Sequence, residues 1–147
     1  MNPLDLLPHR PPMRLIDAVL HLVPGQRACG RRDVRADDFF FDGHFPGEPI
    51  VPAVILVEMI AQVGGLAAGA PGEGTPAPPL RLRVAALGPF RFPRAATAGA
   101  RLVVHARVAG TFGGLHKIEG EVTDSGRVVA EGSVTLGSSP VPPPPTS

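Results

Sequence analysis

His44 and Glu58 stand fourteen residues apart in GHFPGEPIVPAVILVEMIAQ, residues 43–62, an imidazole on a Gly/Pro-rich turn and a carboxylate in an almost wholly apolar run. An imidazole can take or give a proton near neutral pH and a carboxyl can do the complementary job, so the two suit a general base and a general acid. A charge inside a hydrophobic element costs free energy unless it is paired, neutralised or used. Glu58 therefore demands an explanation. The turn, with Gly43 before the histidine and Phe45-Pro46-Gly47 after it, would hold the ring rigidly, yet such turns also serve architecture alone. Spacing by itself leaves both readings of the pair open.

Other chemistries lack support. The chain has no HExxH, CxxC, GxSxG or Gly-rich phosphate loop, which removes the case for metal hydrolysis, a serine nucleophile and nucleotide binding. His9, His21, His105 and His116 have no carboxylate or cysteine at metal-ligand spacing and read as surface or satisfied structural residues. Cys29, the single cysteine, lies in the strand-like QRACGRRDV without a visible activator, and reads as a small buried thiol rather than a nucleophile. One cysteine and no signal-peptide pattern point to a reducing cytoplasm. A formal net charge of +1 offers no electrostatic case for nucleic acid. The longest apolar run, residues 50–60, is interrupted by Pro52 and Glu58. It is well short of the ~20 residues of a membrane span. Arg81, Arg83, Arg91, Arg94 and Arg101 cluster in sequence, either as a basic patch for an acidic partner or as an ordinary solvated sheet face.

The elements that must carry the pair can be read in outline. Residues 51–68 form the best helix candidate, with Pro52 suited to its first turn and Gly69 to its end. Only Glu58 and Gln62 interrupt its apolar surface, so the helix should be surrounded by protein. Their i, i+4 spacing puts both on one side, within hydrogen-bonding reach. Upstream, residues 4–12 read as a short helical or turn segment. Residues 13–23 and 26–36 read as a strand pair around Pro24-Gly25. Phe39, Phe40 and Phe41 cannot all face inward from one strand. Downstream come a mobile Pro/Gly loop over 70–79 and four strands, 80–90, 100–109, 115–123 and 127–136, the last two joined by Asp124-Ser125-Gly126. In the second of these strands Leu102, Val104, Ala106 and Val108 alternate toward a core. The layout is α+β, a single domain over residues 1–137 in which an antiparallel sheet wraps around one helix, followed by a Pro-rich tail, 138–147, expected to be disordered.

The segments LPHRPPMRLID and FFFDGHFPGEPIVPAVILVEMIAQ resemble the 3-hydroxyacyl-acyl-carrier-protein dehydratases of the FabZ/FabA type, which have the hot-dog fold. The likeness is strongest over residues 7–62 and fainter to about residue 136; its signature is the HFPG turn followed by P-x-V-x-x-x-E-x-x-A-Q. The FabA branch usually carries Asp at the acid position, so Glu58 points to the FabZ branch, which dehydrates without isomerising the product.

The resemblance implies reversible dehydration of a (3R)-3-hydroxyacyl chain on acyl carrier protein to the trans-2-enoyl product, in fatty-acid or related lipid or polyketide synthesis. His44 would be general base on the α-proton, and Glu58 the general acid for the departing hydroxyl, kept protonated by apolar surroundings. The backbone N–H groups of Ala53 and Val54 would hold the thioester oxygen, helped by the helix dipole. Phe45, Pro46 and Gly47 would line the substrate, and Gln62 would orient Glu58. Arg91, Arg94 and Arg101 would dock the acidic carrier, and no metal or cofactor is called for. The family is built from homodimers, often trimers of dimers (homohexamers), in which the histidine of one chain faces the acid of the other. The chain departs from the pattern at Val51-Pro52-Ala53, where Met-Pro-Gly is usual, at Pro11, where an aromatic is usual, and at Phe92-Pro93-Arg94 and Ala98-Gly99-Ala100. The competing readings are a hot-dog acyl thioesterase and a non-catalytic acyl-carrier- or lipid-binding subunit.

Overall fold

In the computed structural model, which describes residues 2–44, 47–72 and 81–138, the apolar run becomes one helix, α1 (Ala53–Gly69). Pro52 caps the helix rather than entering its first turn; its carbonyl accepts from the N–H groups of Ile55 and Leu56 at 3.0 and 3.3 Å. A proline there sacrifices no helical donor. At the other end the Ala70 N–H closes on the Leu66 carbonyl at 3.1 Å. From Ile55 onward α1 is buried or partly buried, as expected of a helix with so little polar surface, while its first residues, Ala53 and Val54, are exposed; the helix touches all six strands.

Those strands are β1 (Ala18–Val23), β2 (Arg27–Asp33), β3 (Leu82–Arg91), β4 (Arg101–Phe112), β5 (Leu115–Asp124) and β6 (Arg127–Ser138). They form one antiparallel sheet in the order β1-β2-β4-β5-β6-β3. The helix lies close on this sheet because glycines leave room for it. A Cβ at Gly64 would come within 2.7 Å of Ile118 Cγ2, and one at Gly120 within 2.5 Å of Ile60 Cγ2. On β4, Leu102, Val104 and Ala106 are buried and Val108 packs against the core, as the alternation predicts. Between β5 and β6, Ser125 and Gly126 both have positive φ, 52° and 79°, and Asp124 pairs with Arg127. This is the two-residue hairpin geometry whose twist suits antiparallel strands.

Two element boundaries differ from the sequence-based expectation. Residues 13–17 have strand-like composition, but β1 starts only at Ala18, because the Gln62 side chain takes the main-chain groups of Met13 and Leu15. The last strand runs two residues beyond the expected 136, to Ser138, the first residue of the expected tail. Among the phenylalanines, Phe40 and Phe41 are buried in a short 3-10 turn (Phe39–Phe41) while Phe39 is exposed, so the three rings do divide. The remainder of the expected tail and most of the 70–79 loop lie outside the described residues.

Candidate active site

Glu58 sits on the second turn of α1 with its side chain 27% exposed. Its Oε1 accepts from Gln62 Nε2 at 3.2 Å and lies 3.3 Å from His9 Nε2. Gln62 is only 1% exposed, and its amide is almost fully used. Its Oε1 accepts the Leu15 N–H at 3.0 Å, and its NH2 group donates to the Met13 carbonyl at 2.7 Å as well as to Glu58. A donor on one side and acceptors on the other fix which amide atom is nitrogen. One buried side chain thus pins residues 13–15 against α1 and turns its remaining N–H toward Glu58.

His9 is delivered by the segment that follows the 3-10 turn Pro3–Leu6. Leu4, Leu6 and Leu7 anchor that segment in the core, and Arg10 Nη1 donates to the carbonyls of Leu7 and His9 at 2.9 and 3.0 Å. No local pattern in the sequence links residue 9 to residue 58, so reading His9 as a surface or merely structural residue missed this contact. Its only sequence cue is membership of the LPHR stretch.

Burial is the largest single influence on Glu58 and pushes its carboxyl up. The hydrogen bonds from His9 and Gln62, with the charge of His9, outweigh it and hold the carboxyl below the usual carboxylate range. This corrects the expectation that apolar surroundings keep the group protonated: within one chain Glu58 is an anion at neutral pH, because two donors meet one of its oxygens.

His44 is half-buried. Its N–H donates to the Phe41 carbonyl at 3.0 Å, its carbonyl accepts from the Ile50 N–H at 3.3 Å, and its Nδ1 lies 3.1 Å from the Ile50 carbonyl. A carbonyl only accepts, so Nδ1 carries the hydrogen and, in the neutral ring, Nε2 holds the lone pair. The turn is backbone-driven: Gly43 and Gly47 have φ of 77° and 78°, the left-handed region that glycine enters without strain. It is tied down on both sides. Ile50 bridges to Thr97 and the Val51 N–H donates to the Ala96 carbonyl at 2.8 Å. Upstream, buried Arg32 on β2 pairs with Asp38 at 2.7 Å and lies 5.8 Å from the Phe40 ring, holding the turn that leads to His44. Phe45 and Pro46 lie outside the described residues; Gly47 is exposed.

Ala53 and Val54 open α1, where the first N–H groups of a helix have no intrahelical acceptor. Both residues are exposed, Val54 at 73%. Arg91, Arg94 and Arg101 are also exposed, but Arg91 already pairs with Glu131, and Arg101 with Asp33 at 3.0 Å. Glu58 and Gln62 are therefore in contact, with His9 beside them, and the turn that carries His44 ties its ring to the Ile50 carbonyl. The Cys29 thiol is pushed up by burial, the opposite of what activates a nucleophile.

Residues 7–133 match the family model of the FabA-like domain. The chain is 37% identical over 131 residues to a 3-hydroxyacyl-acyl-carrier-protein dehydratase FabZ from Herpetosiphon aurantiacus, covering 89% of this chain and 91% of that protein. It is 36% identical over 129 residues to the FabZ of Myxococcus xanthus, covering 88% of this chain and 84% of that one. Among solved structures, the dehydratase heterocomplex ApeI:P from Xenorhabdus doucetiae superposes with a TM-score of 0.75 at 19% identity, over 95% of this chain and 92% of that one. A hypothetical thioesterase with coenzyme A from Streptococcus pneumoniae superposes at 0.63 and 11% identity, over 82% and 84%. At such identities the structures speak to the fold alone.

Proposed function

We propose a mechanism for this chain from the premise that it belongs to the FabA-like family and is a FabZ-type 3-hydroxyacyl-acyl-carrier-protein dehydratase, a hydro-lyase of fatty-acid synthesis. The observation that carries the mechanism is the Nδ1 tether of His44 to the Ile50 carbonyl. It presents Nε2 as the basic nitrogen.

His44 Nε2 removes the α-proton of the 3-hydroxyacyl thioester, and the C–H electron pair becomes the α,β double bond. The C3–O bond breaks, and Glu58 delivers a proton to the departing hydroxyl, which leaves as water. Charge that builds on the thioester oxygen meets the N–H groups of Ala53 and Val54 and the positive end of α1. Alanine in place of the family's usual glycine keeps that N–H. By the family resemblance Phe45, Pro46 and Gly47 contact the substrate, and Gln62 orients the acid. For dehydration Glu58 must be protonated, and that proton arrives as substrate and a second subunit cover it, because burial is already the strongest influence on its carboxyl.

The second subunit has a docking edge. β3 ends the sheet, and along it Leu87 is 59% exposed and Val84 is exposed beside it. An unpaired strand edge with apolar side chains favours pairing with another copy. In the dimer His44 of one chain faces Glu58 of the other, and dimers assemble in threes. Arg91, Arg94 and Arg101 receive the acidic carrier protein, Arg91 and Arg101 by exchanging Glu131 and Asp33 for it. The domain takes in β6 as far as Ser138 and works in the cytoplasm; among the described residues no helix is long and apolar enough to cross a membrane.

The thioesterase and binding-only readings are not favoured. Purified protein mixed with crotonyl or longer enoyl thioester should hydrate it, with H44A and E58Q each losing that activity. Release of free thiol would instead indicate a thioesterase, and saturable acyl binding without turnover a binding subunit.

A further inference from the structure

Gln62 and His9 both reach the same oxygen of Glu58, Oε1, at 3.2 and 3.3 Å. Gln62 belongs to the same helix, so its position follows from helical spacing. His9 does not, and must be brought from the N-terminal segment. We propose that His9 is a positioning residue for Glu58: its Nε2–H holds Oε1 so that Oε2 is the oxygen that exchanges a proton with the 3-hydroxyl group of the substrate. The inference rests on Glu58 being the acid of the reaction.

Three observations support it. Oε1 belongs to a carboxylate, which only accepts, so Nε2 is the nitrogen that carries the hydrogen in this contact. The His9 Nδ1 is buried with no hydrogen-bond partner among the described residues. A ring that only filled space could turn to satisfy or expose that nitrogen, whereas this one keeps Nε2 on Glu58 and leaves Nδ1 unsatisfied. The backbone that carries the ring is clamped as well, by the buried Leu7, by Arg10 on the Leu7 and His9 carbonyls, and by Gln62 on Met13 and Leu15. His9 is therefore presented by a preorganised segment and shares the same 27% side-chain exposure as Glu58.

The consequence is readable in the hydration direction, where Glu58 must be ionised to take a proton from water. The groups facing its carboxylate are His9 from the N-terminal segment and Gln62 from α1. Loss of the His9 donor leaves burial less opposed, so the acid limb of the activity profile moves to higher pH.

Two amides separate this role from mere packing. In H9Q the amide nitrogen reaches where Nε2 lies and can donate to Oε1; in H9N it reaches only the Nδ1 position. The measurement is enoyl-thioester hydration against pH, with folding followed by circular dichroism and E58Q run alongside. H9N should lower kcat about 10-fold or more with little change in KM, as loss of an outer hydrogen-bonding partner commonly does. Its acid limb in kcat/KM should shift upward, while H9Q recovers most of kcat and returns the limb. Folded H9N and H9Q with the same kcat and an unmoved limb would overturn the positioning role while E58Q remains inactive. An active E58Q would overturn the reading of Glu58 as the acid, and this inference with it.

Discussion

Replacing Gln62 by leucine removes a side chain that serves two purposes at once. The Leu15 N–H would be left without its partner in a buried place and the Met13 carbonyl in a part-buried one, and Glu58 would lose a donor. Each buried polar group left unsatisfied costs about 1–3 kcal/mol. Q62L should therefore unfold at clearly lower urea concentration and lose hydration activity, whereas Q62E at low pH, protonated and able to donate, should fall between. Glu58 makes a separate pH prediction. Its folded pKa is depressed, so its stabilisation is present above the unfolded value, about 4.3 for a glutamate. That stabilisation is lost as pH falls through the lower folded value. Urea titrations from pH 7 down to pH 3 should show wild type losing more stability in this acid window than E58Q. At this scale the sequence was half legible. The i, i+4 spacing put Gln62 beside Glu58, but nothing near residue 9 announces His9, whose place depends on how a distant segment packs across the helix.

At the level of elements, the site depends on how closely α1 lies on the sheet. Gly64 faces Ile118 so tightly that an alanine Cβ would sit 2.7 Å from a methyl group. Overpacking of this kind costs typically about 1–3 kcal/mol. G64A should lower the melting temperature, and combining it with I118A should cost less than the sum of the two changes, since the truncated side chain makes room. The Arg32–Asp38 pair makes a second element-scale prediction. Both partners are buried, and removing one from a buried pair costs about 3–5 kcal/mol. D38A should be strongly destabilised in a denaturant titration and should disturb the turn before His44. Local patterns could show the helix, the alternation on β4 and the Ser125-Gly126 turn, because each is written in neighbouring residues. They misplaced the start of β1, because Met13 and Leu15 spend their main-chain groups on a glutamine 49 and 47 residues away.

At the scale of the whole molecule, the proposed activity depends on assembly. One chain holds Glu58 with its two donors, and a separate turn holds His44; the proposed reaction needs a second copy to bring base and acid to the same substrate. A charge placed on the exposed edge, as in L87E, should leave the fold intact by circular dichroism while lowering the assembly state in sedimentation and abolishing turnover. The family could be read from HFPG and the helix motif that follows it, whereas no local pattern states how copies pair. The most direct measurement is complementation. H44A and E58Q, each inactive, are mixed under conditions that exchange subunits, and hydration of an enoyl thioester is followed. With one intact site in each mixed dimer and random pairing, activity should return to roughly one quarter of wild type. A mixture that exchanges subunits yet stays as inactive as its two components would contradict an active site built from His44 of one chain and Glu58 of another.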